Sequence, residues 1–201
     1  SARPTPTAMV RARALAHTPE QRARAAGTIA FVSSGHDTAR TRAGFREAAL
    51  HAAQAGAIRE EAQYLTGLAS ACTDEGDIRH ALESASRAAQ LFDDALDRPA
   101  LASRAWLSRA ACFALIGASL ECQEAADEAS QRAQLTNDVR AEGYSHLVVA
   151  DGHPTGSPEA KCAADRAAER LGYSRSSDLN HDALRAAARL WAHDAAEFRP
   201  D

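Results

Sequence analysis

Apolar and small residues recur along this chain at helical spacing, and no stretch alternates strongly enough to predict a strand. After the Pro/Thr-rich SARPTPT of residues 1–7, HTPEQ at 17–21 carries a helix start. Thr18 suits the N-cap, Pro19 the first turn, and Glu20 the positive helix end. That helix is predicted to run to about Val32 and stop at SSGHD. A second runs from about Thr38 to Ala55, and a third, REEAQYLTGLASACTDE, ends before Gly76. A fourth, DIRHALESASRAAQLFDDAL, ends before DRP at 97–99. PALASRAWLSRAACFALI then stops at Gly117, SLECQEAADEASQRAQL at TND, and VRAEGYSHLVVA at DGHPTGSP. PEAKCAADRAAERLG follows, and LNHDALRAAARLWAHDAAEF, capped by Asp178, closes the chain. The predicted class is all-α.

The helices carry a repeat. Gly35, Gly76 and Gly117 are 41 residues apart, and a fixed period of this size is the signature of a repeat array. Superposed on their glycines, two units align Leu65 with Trp106, Ala69 with Ala110 and Cys72 with Phe113. Beyond the turn they align Ala81 with Cys122, Ala85 with Ala126 and Ala88 with Ala129. Small residues let antiparallel helices approach at their crossing, and large ones fill the gaps beside it. A glycine at the turn takes positive φ at little cost. Each hairpin leaves an apolar face for the next to cover. Tyr144, Leu147 and Val148, then Ala160, Ala164 and Ala167, continue the order, but Tyr144 follows Trp106 by 38 residues. The first unit fits least, with Arg24 and Gly44 at places that are apolar or Ala elsewhere.

This order of bulky, small, aromatic, glycine and three small residues resembles the tetratricopeptide repeat family, over roughly residues 20–180. The period is longer than that family's usual one, and Arg109 and Ser119 stand where it commonly has larger apolar residues. The resemblance implies a right-handed α-solenoid of about four helical hairpins plus a C-terminal capping helix. Residues 1–8 are then a linker and 9–201 a single repeat domain. Its units are 19–57, 58–97, 98–137 and 138–177, with the capping helix at 178–198. It also implies a concave groove lined by the first helix of each hairpin. On this chain that face is carried by Gln63, Thr66 and Ser70, then Arg104, Leu107, Ser108 and Ala111, then Glu142, Ser145, His146 and Val149. The family's clamp for a C-terminal carboxylate needs Lys, Arg and Asn on successive first helices; Arg104 is the only cation among these positions.

Charge and candidate chemistry narrow the function. Residues 1–60 carry 9 Arg against 4 acids, while the remainder carries 14 Lys/Arg against 23 acids. Most of the chain thus lacks the basic face that nucleic acid requires. No apolar run has the length of a membrane span, and no signal-peptide core is visible. Cys72, Cys112, Cys122 and Cys162 show no CxxC pairing and read as small buried hydrophobes in a reducing compartment, so the cytoplasm is expected. The chain starts with Ser rather than Met, as a piece of a longer protein would. His36-Asp37 and Asp151-Gly152-His153 read as turn chemistry rather than metal or acid–base sites. His181 and His193 are too far apart on one helix to share a ligand, and Trp106 and Trp191 read as core anchors. No nucleophile elbow or phosphate loop is present.

The expected function is a non-enzymatic module for binding a protein or peptide partner, or neighbouring domains of the same chain, without cofactor or metal. By analogy with the family it forms a regulatory or scaffolding part of a larger bacterial signalling or transcription-control protein. A sensory domain binding a small effector around Leu107, Ala111, His146 and Val149 is the alternative. An all-α enzyme using His153 with Asp151 is a third reading.

Overall fold

The computed structural model describes residues 14–34 and 36–172. The linker at 1–8, the turn residue Gly35, and the capping helix with His181, Trp191 and His193 lie outside the described residues. The described part is all-α. It falls into two compact units that divide between Arg98 and Pro99.

The N-terminal unit contains α1 (Pro19–Ser33), α2 (Thr38–Gln54), α3 (Ile58–Asp74) and α4 (Ile78–Gln90), each packed on the next. The C-terminal unit contains α5 (Pro99–Leu115), α6 (Ser119–Leu135), α7 (Val139–Gly152) and α8 (Pro158–Gly172). Here too consecutive helices pack, and α5 also touches α7, the neighbour relation of a solenoid.

The helix starts follow from their caps. Thr18 accepts from the Gln21 amide while the Gln21 side chain accepts from the Thr18 amide, a complete capping box. Asp37, Asp77 and Asp138 each accept from the amide three residues on. The turn after α3 and that after α5 are the same object. Gly76 and Gly117 have φ of 76° and 71°, and the amide that follows each bonds back to Cys72 or Phe113 at 2.9 and 3.0 Å. Asn137, at φ 53°, does the same work after α6, where the Asp138 amide reaches the Ala133 carbonyl at 2.9 Å. Positive φ recurs at residues 56, 76, 97, 117, 137 and 156, so the chain repeats about every twenty residues, one helix at a time. The 41-residue spacing is this period taken twice.

Small residues do sit at the crossings. Ala69, Ala110, Ala81, Ala85, Ala88, Ala126, Ala129, Ala160, Ala164 and Ala167 are all buried, as is Cys122. Gly44 belongs to this set: a Cβ there would stand 3.0 Å from the Ala30 Cβ, so the missing side chain is what lets α1 and α2 meet. Other helical glycines seat rings from neighbouring helices. Tyr64 lies over Gly27 and Phe45 over Gly67, and Phe45 also meets Phe31 edge-on at 5.0 Å.

Two expectations change. The fourth helix is not uniform to Leu96. It widens into a π-turn at Leu91–Ala95, and both Leu91 and Phe92 are buried there. The seventh helix runs through Gly152, and its end is set by Pro154, which drives His153 into extended backbone at φ −103°, ψ 154°.

Candidate functional site

The burial pattern fixes how α7 corresponds to α5. Ala102, Ser103, Ala105, Ala110 and Cys112 are buried on α5, and Glu142, Gly143, Ser145, Ala150 and Gly152 on α7, position for position 40 residues later. On the second helices the offset is 38: Cys122, Ala125, Ala126 and Ala129 match Ala160, Ala163, Ala164 and Ala167. The second offset is smaller because Pro154 ends α7 early, by more than the longer turn to α8 restores. Aligning Tyr144 with Trp106 carried the second-helix offset onto the first helix and misplaced its face by two residues.

This corrects part of the expected groove. Glu142 and Ser145 are buried, not open, and Val149 is buried at the bottom of a cleft rather than on an open face. Glu142 accepts from Gln134 of α6 and Arg170 of α8, both at 3.1 Å, and Ser145 donates to the Ala141 carbonyl of its own helix. The α7 positions equivalent to Arg104, Leu107, Ser108 and Ala111 are Tyr144, Leu147, Val148 and Asp151. Of the α5 set, Arg104 is exposed, while Leu107, Ser108 and Ala111 are half-buried. In the N-terminal unit Gln63 and Ser70 are exposed and Thr66 is half-buried, donating to the Ala62 carbonyl.

His146 takes the place of Trp106, and this substitution opens a cleft. Around Trp106 the chain fills its own space. The Arg109 guanidinium stacks 5.0 Å from the indole centre and 5.5 Å from the Phe113 ring, and Arg132 covers the indole at 5.2 Å. Glu128 holds Arg132, and the remaining space is about 280 Å³. One hairpin later Val149 replaces Arg109 and His153 replaces Phe113. On the facing helix, Cys162 and Arg166 stand at the places of Glu124 and Glu128. Both rings and the stacking cation are gone, and a cleft of about 660 Å³ remains between α6, α7 and α8.

Its floor is apolar, with Val149 and Ala163. Its rim is mixed, with Gln123 and Asp127 of α6 facing Glu159, Cys162 and Arg166 of α8. Leu120, 70 % exposed, stands at the edge. Burial pushes the His146 imidazole below its ordinary pKa. Glu142 and Asp127 pull it up and Arg166 and Arg170 push it further down, so the ring is largely neutral at neutral pH. Of the four cysteines expected to be buried, Cys72, Cys112 and Cys122 are, but Cys162 is an exposed thiol on α8; burial holds the Cys122 thiol up at about 11.

Of the effector group expected around Leu107, Ala111, His146 and Val149, the cleft brings His146 and Val149 together; Leu107 and Ala111 do not line it. Sequence reading missed Leu120, Gln123, Asp127, Glu159, Cys162 and Arg166 as site residues. All six lie on the second helices α6 and α8, whereas the expected groove was drawn from first helices alone. Asp37 caps α2, as turn chemistry predicts. Among the described residues no three His, Cys, Asp or Glu side chains converge as metal ligands do, and no described helix is long and apolar enough to cross a membrane.

No family model matches the chain, and no curated protein matches it significantly.

Proposed function

We propose that the chain is a helical-repeat binding module, akin to tetratricopeptide arrays, that recruits a protein or peptide partner without carrying out chemistry itself. The observation that supports this is an apolar strip in the C-terminal unit. Leu115, Ile116 and Leu120, 62 %, 55 % and 70 % exposed, flank the turn between α5 and α6. Large aliphatic side chains left so open beside a cleft with a polar rim have the composition of an interface centre. The buried alanines hold the backbone constant while outward positions differ from hairpin to hairpin, which is how a repeat scaffold varies its specificity.

Selection of displayed random peptides on the immobilised chain tests the reading. Peptides are expected to be enriched, and to be lost when Leu115, Ile116 and Leu120 are replaced together by Ser. Absence of enrichment would overturn it.

A second reading is favoured by one observation: the cleft's volume lies within the range of small-molecule sites. In that case a soluble effector, not a peptide, raises the melting temperature in a concentration-dependent way.

A further inference from the structure

The C-terminal unit contains the same site twice, once filled and once vacant. The buried positions of α5 and α6 recur on α7 and α8. What differs is the occupant. In the first copy the chain supplies an indole and a phenyl ring, held under two guanidinium groups. In the second, His146 and His153 stand where the rings were, and a cleft of about 660 Å³, walled also by α6, lies over them. Arg166 lines this cleft, while Arg170, which corresponds to Arg132, is held by Glu142 at 3.1 Å as Glu128 holds Arg132.

We propose that the cleft between α6, α7 and α8 receives an aromatic side chain, tryptophan by preference, from the partner peptide. The ring rests on Val149 and Ala163 and meets the imidazole of His146 and the guanidinium of Arg166. It thus recovers from outside the stacking that Trp106 makes from within. A peptide suits the site better than a free ring. A flanking apolar residue covers the exposed Leu120, while Gln123 and Asp127 on the rim offer hydrogen bonds to main-chain groups. A single buried aromatic anchor surrounded by a polar rim is also the usual centre of binding energy in such contacts.

This inference rests on the binding-module reading, and its test separates the two. Peptides selected on the whole chain are sequenced, and the best binder is titrated against the parent chain and two variants. His146→Trp fills the cleft from the α7 side, with the residue that Trp106 is in the first copy. Cys162→Trp fills it from an exposed rim position and keeps the test valid should the first variant misfold. The expected result is enrichment of Trp or Phe. Affinity should fall at least about tenfold in each folded variant, with helical circular dichroism unchanged. Enriched peptides without aromatic residues, or binding indifferent to both variants, would overturn the aromatic anchor and leave the binding module standing. No enriched peptide at all would overturn both.

Discussion

Replacing Ala110 by Leu probes the helix crossing on which the C-terminal unit depends. Ala110 has no exposed surface and packs in one cluster with Cys122, Ala125, Ala126, Val149, Ala150, Ala163 and Ala164. An isobutyl group there meets helix-borne alanines, which have no rotamer to move into, together with Cys122 and Val149 and the partly buried Trp106, Phe113 and Val148 that already pack against the cluster. The space must come from pushing helices apart. Overpacking of this kind costs roughly 1–3 kcal/mol. Leu and Ala differ little in helix propensity, so no local gain offsets it. For a unit of about 100 residues the cost lowers the melting temperature by roughly 4–20 °C. Ser70→Leu is the control: Ser70 is exposed on α3, and a surface change of this sort stays within about 0.5 kcal/mol. Both are read by thermal melts followed at 222 nm, with reversibility checked. Equal shifts for the two variants would refute the crossing geometry.

Three further outcomes follow. Gly117→Ala forces a Cβ into positive φ with open space around it, so the cost is purely conformational, about 1–2 kcal/mol by chemical denaturation. His146 has a native pKa below its ordinary value near 6.5, so the unfolded chain takes up the proton first. Its contribution to stability is complete above pH 6.5 and is lost as pH falls toward the native value. His146→Gln should flatten that part of the stability–pH curve, and an unchanged slope would contradict the assignment. Cys162 should react with a maleimide in the native chain while Cys72, Cys112 and Cys122 stay protected, as mass spectrometry of peptides would show.

The helices were legible from sequence because their punctuation is local. Thr18, Asp37, Asp77 and Asp138 name their own starts, and Gly76 and Gly117 their turns. The crossings were legible too, since a face of alanines at helical spacing has few uses other than close packing. The α7 face was not. Its register depends on how far Pro154 shortens the helix, and Tyr144 was a plausible but wrong anchor for the aromatic position. The π-turn at Leu91–Ala95 had no local signal either, because Asp93 and Asp94 read as an ordinary exposed helix end. Most of all, a vacant cleft is a property of what is missing. His146 means little until it is seen standing where another hairpin keeps Trp106.

Backbone amide shifts of the labelled chain, recorded by NMR while a selected peptide is added, test the account most directly. The account predicts saturable changes grouped on Leu120, Gln123, His146, His153, Cys162 and Arg166, on the three helices around the cleft. Changes grouped instead on Arg104, Leu107, Ser108 and Ala111 of α5 would contradict it.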